Sequence, residues 1–254
     1  MSLKLCAACG CSMGKVRANN EDNFYFCGSF LPADNRALPT VLTAETSAEG
    51  ELCTAVFDGM GGEQFGELAS YAAAHEMKER LVAGAWHDSD ARASLHHLTL
   101  ALNAAVLDKA QEMLTRHMGS TLAGLFFRRG TAWAFNLGDS RIYLGRGGVL
   151  RQLSVDHVDA RPHLSGKGKG SLTQYLGIDE EEFVVEPAIS AVELHEGDCF
   201  LVCSDGLTDM LSDDEILASL LGARSAETAV EKLIAQALER GGRDNVTVIV
   251  CMIR

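Results

Sequence analysis

Positive charge is what this chain lacks. Its 254 residues hold 22 Lys and Arg against 35 Asp and Glu, a formal net charge of −13. That balance excludes nucleic acid and anionic membrane surfaces as general partners, because the overall field repels phosphate. A phosphate ligand would need a local cation. Proline is scarce as well, at four residues, which argues against a linker-rich or disordered chain. No stretch approaches the roughly 20 apolar residues that span a bilayer, so no membrane span is expected. The opening MSLKLCAACG lacks the basic-then-apolar build of a secretory signal. A cytoplasmic location is expected.

Eight cysteines in 254 residues are far fewer than a disulfide scaffold carries. Cys6, Cys9 and Cys11 form a C-x2-C-x-C run resembling half a zinc site, but no second CxxC or paired His follows at ligand spacing. Reduced, mostly buried thiols are the expectation. GKGKGS is not a Walker A loop, because no Gly-Lys-Ser/Thr ends it. A covalent seryl or cysteinyl route is not expected.

What is present is a chain of short apolar runs and amphipathic stretches, with no linker or repeat dividing it. Residues 3–9, 23–28 and 51–57 read as strands. Helices are predicted over Glu63 to Ala85 and Ala91 to His117, the second with Leu95, Leu98, Leu102, Val106 and Met113 on one stripe. The middle is β-rich: 120–128, an Arg-Gly turn, 131–137, 141–145 and 149–153. Residues 158–170, glycine-rich and polar, read as a loop. FVVEP and CFLVCS read as strands, and Ser212 with Glu215 forms a capping box. Ser225 to Arg240 reads as a helix ended by Gly241-Gly242, and VTVIVCMI as a closing strand. Strands and helices come in blocks, which favours an antiparallel sheet with helices packed outside it, in one domain over 1–254.

The aspartates fall at the ends of these strands. Asp58-Gly59 follows TAVF, Asp139 follows AFNLG, Asp205-Gly206 follows FLVCS, and Asp244-Asn245 precedes VTVIV. Glu21 and Asp22 add two acids after SMGKVRANN. Buried carboxylates must be neutralised, and a hard divalent cation takes carboxylate, carbonyl and water oxygens. An isolated Asp-Gly is also an ordinary turn. Spacing alone leaves turn chemistry and an oxygen-ligated metal site both open.

At these residues the chain resembles the metal-dependent serine/threonine protein phosphatases of the type 2C, or PPM, family. The matching segments are VRANNEDN, FDGMGG, GSTLAGLFF, LGDSRIYL, SLTQYLG, CSDGLTDML and GGRDNVTVIV, in the family's order over nearly the whole chain. The resemblance implies an α+β fold, a central antiparallel β-sandwich flanked on both faces by α-helices. It implies a cleft holding two Mg²⁺ or Mn²⁺ ions, with a weaker third. Phosphoserine and phosphothreonine on proteins would be hydrolysed by in-line attack of a metal-bridging hydroxide.

By motif, Asp58 bridges both metals, the Gly59 carbonyl binds one, and Asp205 and Asp244 hold the other. Glu21 contacts the second metal directly or through water, Asp22 supports it, and Asn245 orients Asp244. Asp139 and Asp205 hold the third ion, with Ser171 as a looser candidate. Arg17 takes the place of the family's phosphate-binding arginine, whose planar fork grips two oxygens. His157 reads as structural. The resemblance also implies phosphorylated protein substrates and a cognate Ser/Thr kinase, and leaves the oligomeric state open. Two departures stand out: a shortened flap around 158–170, and Gln174 where the family carries arginine. They motivate the alternatives of a PPM-fold binding or regulatory module with little turnover, or a small-molecule phosphatase.

Overall fold

A computed structural model describes residues 3–35, 37–60, 65–84, 90–159, 170–181 and 183–254. The start of the first predicted helix at Glu63, the last two residues of DGMGG, and most of the 158–170 flap lie outside the described residues.

Two antiparallel sheets form the centre. In the first, β1 (Lys4–Ser12) lies between β3 (Leu42–Ser47) and β12 (Val246–Ile253). From β12 the sheet continues through β11 (Cys199–Cys203) and β8 (Arg141–Arg146) to β9 (Val149–Gln152). In the second, β10 (Ala188–Glu193), β7 (Thr131–Leu137), β6 (Leu122–Arg128), β4 (Leu52–Met60) and β2 (Asp22–Phe26) lie in that order. The two-residue β5 (Gly119–Ser120) pairs with the end of β4. The Arg129-Gly130 turn joining β6 to β7 has both residues at positive φ, 49° and 73°, as a two-residue hairpin twist requires.

Side-chain alternation along these strands divides the apolar residues between an inner and an outer face. Phe24, Phe26, Val56, Leu125 and Phe127 face Ile142, Phe200, Val202 and Ile249 across the sandwich. Phe127 meets Phe200 edge to face, with ring centroids 5.4 Å apart. On the outer face of the second sheet lie α1 (Gly66–Val82) and α2 (Ala91–Glu112), packed over Ala55, Phe57, Phe126 and Phe135. On the other outer face, α4 (Asp213–Leu221) and α5 (Ala226–Glu239) pack over Leu201, Val248 and Val250. The short α3 (Asp205–Thr208) follows β11 directly. The layers are helix, sheet, sheet, helix.

The predicted capping box at Ser212 and Glu215 is formed, and Ser225 makes a second with Thr228. Two sequence expectations change, and the cysteine run behaves as expected. The second helix ends at Glu112, so Met113 falls past it and is 38% exposed while Leu95, Leu98, Leu102 and Val106 are buried. FVVEP is not a strand: Phe183 and Val184 are exposed, and the Gln174 amide holds this segment by donating to the Val184 carbonyl and accepting from the Glu186 N–H. Of the cysteine run, Cys9 and Cys11 are buried among apolar side chains on the inner face of β1, while Cys6 lies outside that cluster, 3.9 Å from Glu45.

Candidate functional site

Antiparallel registers bring one end of each sheet to a common rim. Asp22, at the start of β2, stands opposite Asp58 near the end of β4. β7 ends beside the start of β6 at that end, and Asp139 follows β7. In the facing sheet, Cys203 at the end of β11 pairs with Val248 of β12, so Asp205 and Asp244 emerge together. The sheets are tied across the sandwich at this rim. The Ser204 and Thr247 hydroxyls both donate to one carboxylate oxygen of Asp22, each at 2.7 Å.

Close backbone approach is the second condition for convergence. A Cβ on Gly59 would run into the carbonyl of Gly66, and one on Gly206 into the carbonyl of Asn245. The glycine after each aspartate therefore lets neighbouring segments touch, which turn chemistry alone does not explain. Asp58 is further fixed through its backbone. Its N–H donates to Thr121 Oγ1 at 3.0 Å, and its carbonyl accepts from the Thr121 N–H at 2.8 Å.

Asn245 does more than the sequence suggests. Its backbone N–H donates to Asp244 Oδ1 at 2.9 Å, as an orienting neighbour would. Its side chain instead clamps the segment carrying Arg17 and Glu21. Oδ1 accepts from the Glu21 N–H at 2.8 Å, and Nδ2 donates to the carbonyls of Met13 and Asn19 at 2.8 and 3.0 Å.

The electrostatics of the rim are lopsided. Burial is the main cause that lifts the Asp58 carboxyl well above the usual range, followed by Asp22, Asp205, Asp244 and Asp139. Burial likewise pushes Asp22 up to about 7 against the two hydroxyl hydrogen bonds, with Asp205 and Asp244 adding to the rise. Glu21 is raised by burial and eased by Arg17. Arg17 lies over this group, with its guanidinium 2.6 Å from Asp244 and 4.0 Å from Glu21. Among the described residues no three His, Cys, Asp or Glu side chains stand preformed as an ion cage. The donor set nonetheless suits one kind of ion. It is all oxygen, it carries more negative charge than one arginine offsets, and it is partly dehydrated, which fits hard divalent cations.

The remaining sequence candidates separate. Asp139 lines a hollow of about 210 Å³ with Arg141, Asp156, Thr208 and Asp209. There Arg141 grips both oxygens of Asp156, its Nη2 at 2.6 Å. Ser171 lies in a different groove, beside Met60, rather than with Asp139. His157 Nδ1 accepts from the Gly138 N–H at 3.2 Å, and burial lowers its pKa, as suits a structural histidine.

GCSMGKVR at 10–17 spells both a G-x-S-x-G elbow and a C-x5-R loop in letters. Neither is built. Ser12 ends β1 with its hydroxyl accepting from the Gly14 N–H, and Cys11 is buried with its thiol pushed up to about 12. The features sequence reasoning missed are Ser204, Thr247 and Thr121. For Ser204 and Thr247 the only signal was a hydroxyl near an acidic motif; Thr121, in GSTLAGLFF, had none.

Comparison with known proteins agrees with this geometry. The family model described as Protein phosphatase 2C matches residues 41–240. The serine/threonine phosphatase stp of Listeria monocytogenes is 31% identical over 255 residues, covering 93% of this chain and 91% of the relative. The serine/threonine protein phosphatase PstP of Mycobacterium tuberculosis is 32% identical over 249 residues, covering 93% of this chain and 43% of the relative. A crystal structure of the catalytic domain of PstP in complex with two manganese ions superposes with a TM-score of 0.75 at 30% identity, over 99% of each chain. With the model matching most of its length and the acidic motifs meeting at one rim, this chain belongs to the protein phosphatase 2C family.

Proposed function

We propose that this chain is a divalent-metal-dependent phosphatase acting on phosphoserine and phosphothreonine in proteins, with residues 1–254 working as one catalytic domain. The observation that carries the reading is the convergence on Asp58. Four other aspartates act on it from four separate segments, and an arginine lies over the same rim.

Asp58, the Gly59 carbonyl, Asp205 and Asp244 are assigned as ligands of an ion pair, with Glu21 at its edge. Asp22, buried behind Asp58 and already held by Ser204 and Thr247, supports the pair from below. Asp139 with Asp205 is assigned to a weaker third ion. Divalent ions bound here would supply an acidified water as nucleophile and positive charge for the phosphoryl oxygens. The oxygen-rich donors suit Mg²⁺ as well as Mn²⁺.

Arg17 is the phosphate-orienting group. Its guanidinium rests on Asp244. Once cations neutralise Asp244, the fork is available to two phosphoryl oxygens. Asn245 keeps Arg17 and Glu21 in range by holding the 13–21 segment at three points. A Ser/Thr kinase that supplies the phosphorylated substrate is the implied partner, and no helix among the described residues is long and apolar enough to cross a membrane.

The test is phosphate release from p-nitrophenyl phosphate and from a phosphothreonine peptide, with Mn²⁺ and with EDTA. Turnover of both that EDTA abolishes is expected. No release with saturating Mn²⁺ would remove the reading, while activity on the small ester alone would favour a metabolite phosphatase.

A further inference from the structure

Next to the acidic rim a groove of about 330 Å³ begins at Met60, one residue beyond Gly59. Its walls are Met60, Met118, Leu172 and Tyr175, and Arg116 and His117 stand at its edge. The floor is Gly119, paired with Met60 in the β4–β5 register. A Cβ there would lie 2.8 Å from the Tyr175 ring and 2.9 Å from the Met60 methyl, so those two side chains close tightly over it.

The groove's two ends differ in chemistry. Met60 and Met118 offer a pliable apolar surface that tolerates varied side chains. Arg116 and His117 are both exposed, and among the described residues neither forms an ion pair. In a chain of net charge −13, they place basic side chains at the edge of a groove that adjoins a rim of carboxylates. The Arg116 guanidinium is not used in an ion pair that holds the fold together. It is available to a ligand.

We propose that this groove receives the residues flanking the phosphorylated side chain of a protein substrate, and that Arg116, with His117, selects an acidic residue there. The inference rests on the phosphatase reading above and names its sequence preference. In a chain of net charge −13, acceptance of an Asp or Glu next to the phosphoresidue depends on a local cation at the groove edge. Arg116 and His117 are both solvent-exposed, so the preference is modest and falls as salt screens it.

The experiment measures kcat/KM for three phosphothreonine peptides identical except for one flanking position, carrying Asp, Asn or Lys. Each is made with the variable position within three residues on either side. Mn²⁺-loaded wild type, Arg116→Glu and Arg116→Lys are compared at low and high salt. On one side of the phosphoresidue, wild type should favour Asp over Asn by about 3–10-fold at low salt, converging toward one at high salt. Arg116→Lys should keep that ratio and Arg116→Glu should cancel or invert it. Because the ratio is taken within one variant, a general loss of activity cancels out. Equal turnover of all peptides by wild type, or an unchanged ratio in Arg116→Glu, would overturn the proposal. Failure of wild type on p-nitrophenyl phosphate as well would locate the fault in the phosphatase reading, and both would fall.

Discussion

Asp22 on β2 stands directly across the antiparallel register from Asp58 on β4, so two acids meet at one end of a single strand pair. Like charges opposite one another destabilise a sheet. The fold tolerates the arrangement by tying Asp22 to Ser204 and Thr247 of the other sheet.

The pH dependence of the metal-free protein follows from that pairing. Burial holds the Asp22 carboxyl up at about 7, against 3.8 ordinarily, so the native state takes up a proton more readily than the unfolded chain. Its stabilising contribution is full below about pH 4 and is lost as pH rises through about 7. In EDTA, Tm should fall between pH 5 and pH 8, and Asp22→Asn should flatten the slope. The increase in Tm on adding Mn²⁺ should grow over the same interval, because cations replace the proton. A slope in EDTA that Asp22→Asn leaves unchanged would count against this origin.

Asp205→Asn should lower kcat by at least about 10²-fold and weaken Mn²⁺ binding, since it removes charge from an assigned ligand. Steady-state kinetics with calorimetric Mn²⁺ titration read both. Near-normal turnover would take Asp205 out of the core site.

Asn245→Ala removes three side-chain hydrogen bonds that hold the Met13, Asn19 and Glu21 backbone. About 2–4 kcal/mol of stability should be lost in denaturant unfolding, since partly buried backbone groups are left unpaired. Mn²⁺ affinity should fall as well, although Asn245 is not itself assigned as a ligand.

Arg17→Ala should raise KM for phosphopeptides about tenfold or more, and Arg17→Lys should recover only part of the loss, because an ammonium lacks the planar fork. Removing Arg17 also takes a cation off Asp244. The metal-free variant should therefore be less stable than wild type, and the difference should shrink in Mn²⁺.

Legibility in the sequence followed burial. Strands such as β4, β11 and β12 are continuous apolar runs and could be read directly. β3 and β10 escaped notice because they are edge strands, LTAETS and AISAVE, whose exposed face breaks the run. FVVEP misled for the opposite reason: its apolar letters sit in a loop held by Gln174. The acids at the rim were legible as motifs. The work of Asn245, Ser204 and Thr247 was not, because it exists only once residues more than 180 positions apart lie side by side.

The position of β12 has a kinetic consequence. This strand, near the end of the sequence, lies between β1 and β11, and all eight of its residues are buried. The second sheet's pairings reach at most 75 residues along the chain, Leu52 with Phe127, and β6 with β7 is a hairpin, whereas the first must wait for β12 to find β1 across some 240 residues. Asp244 arrives with that late strand. Refolding should therefore show a partly ordered species, with the β2–β4–β6–β7 half in place, before the capacity to bind manganese appears.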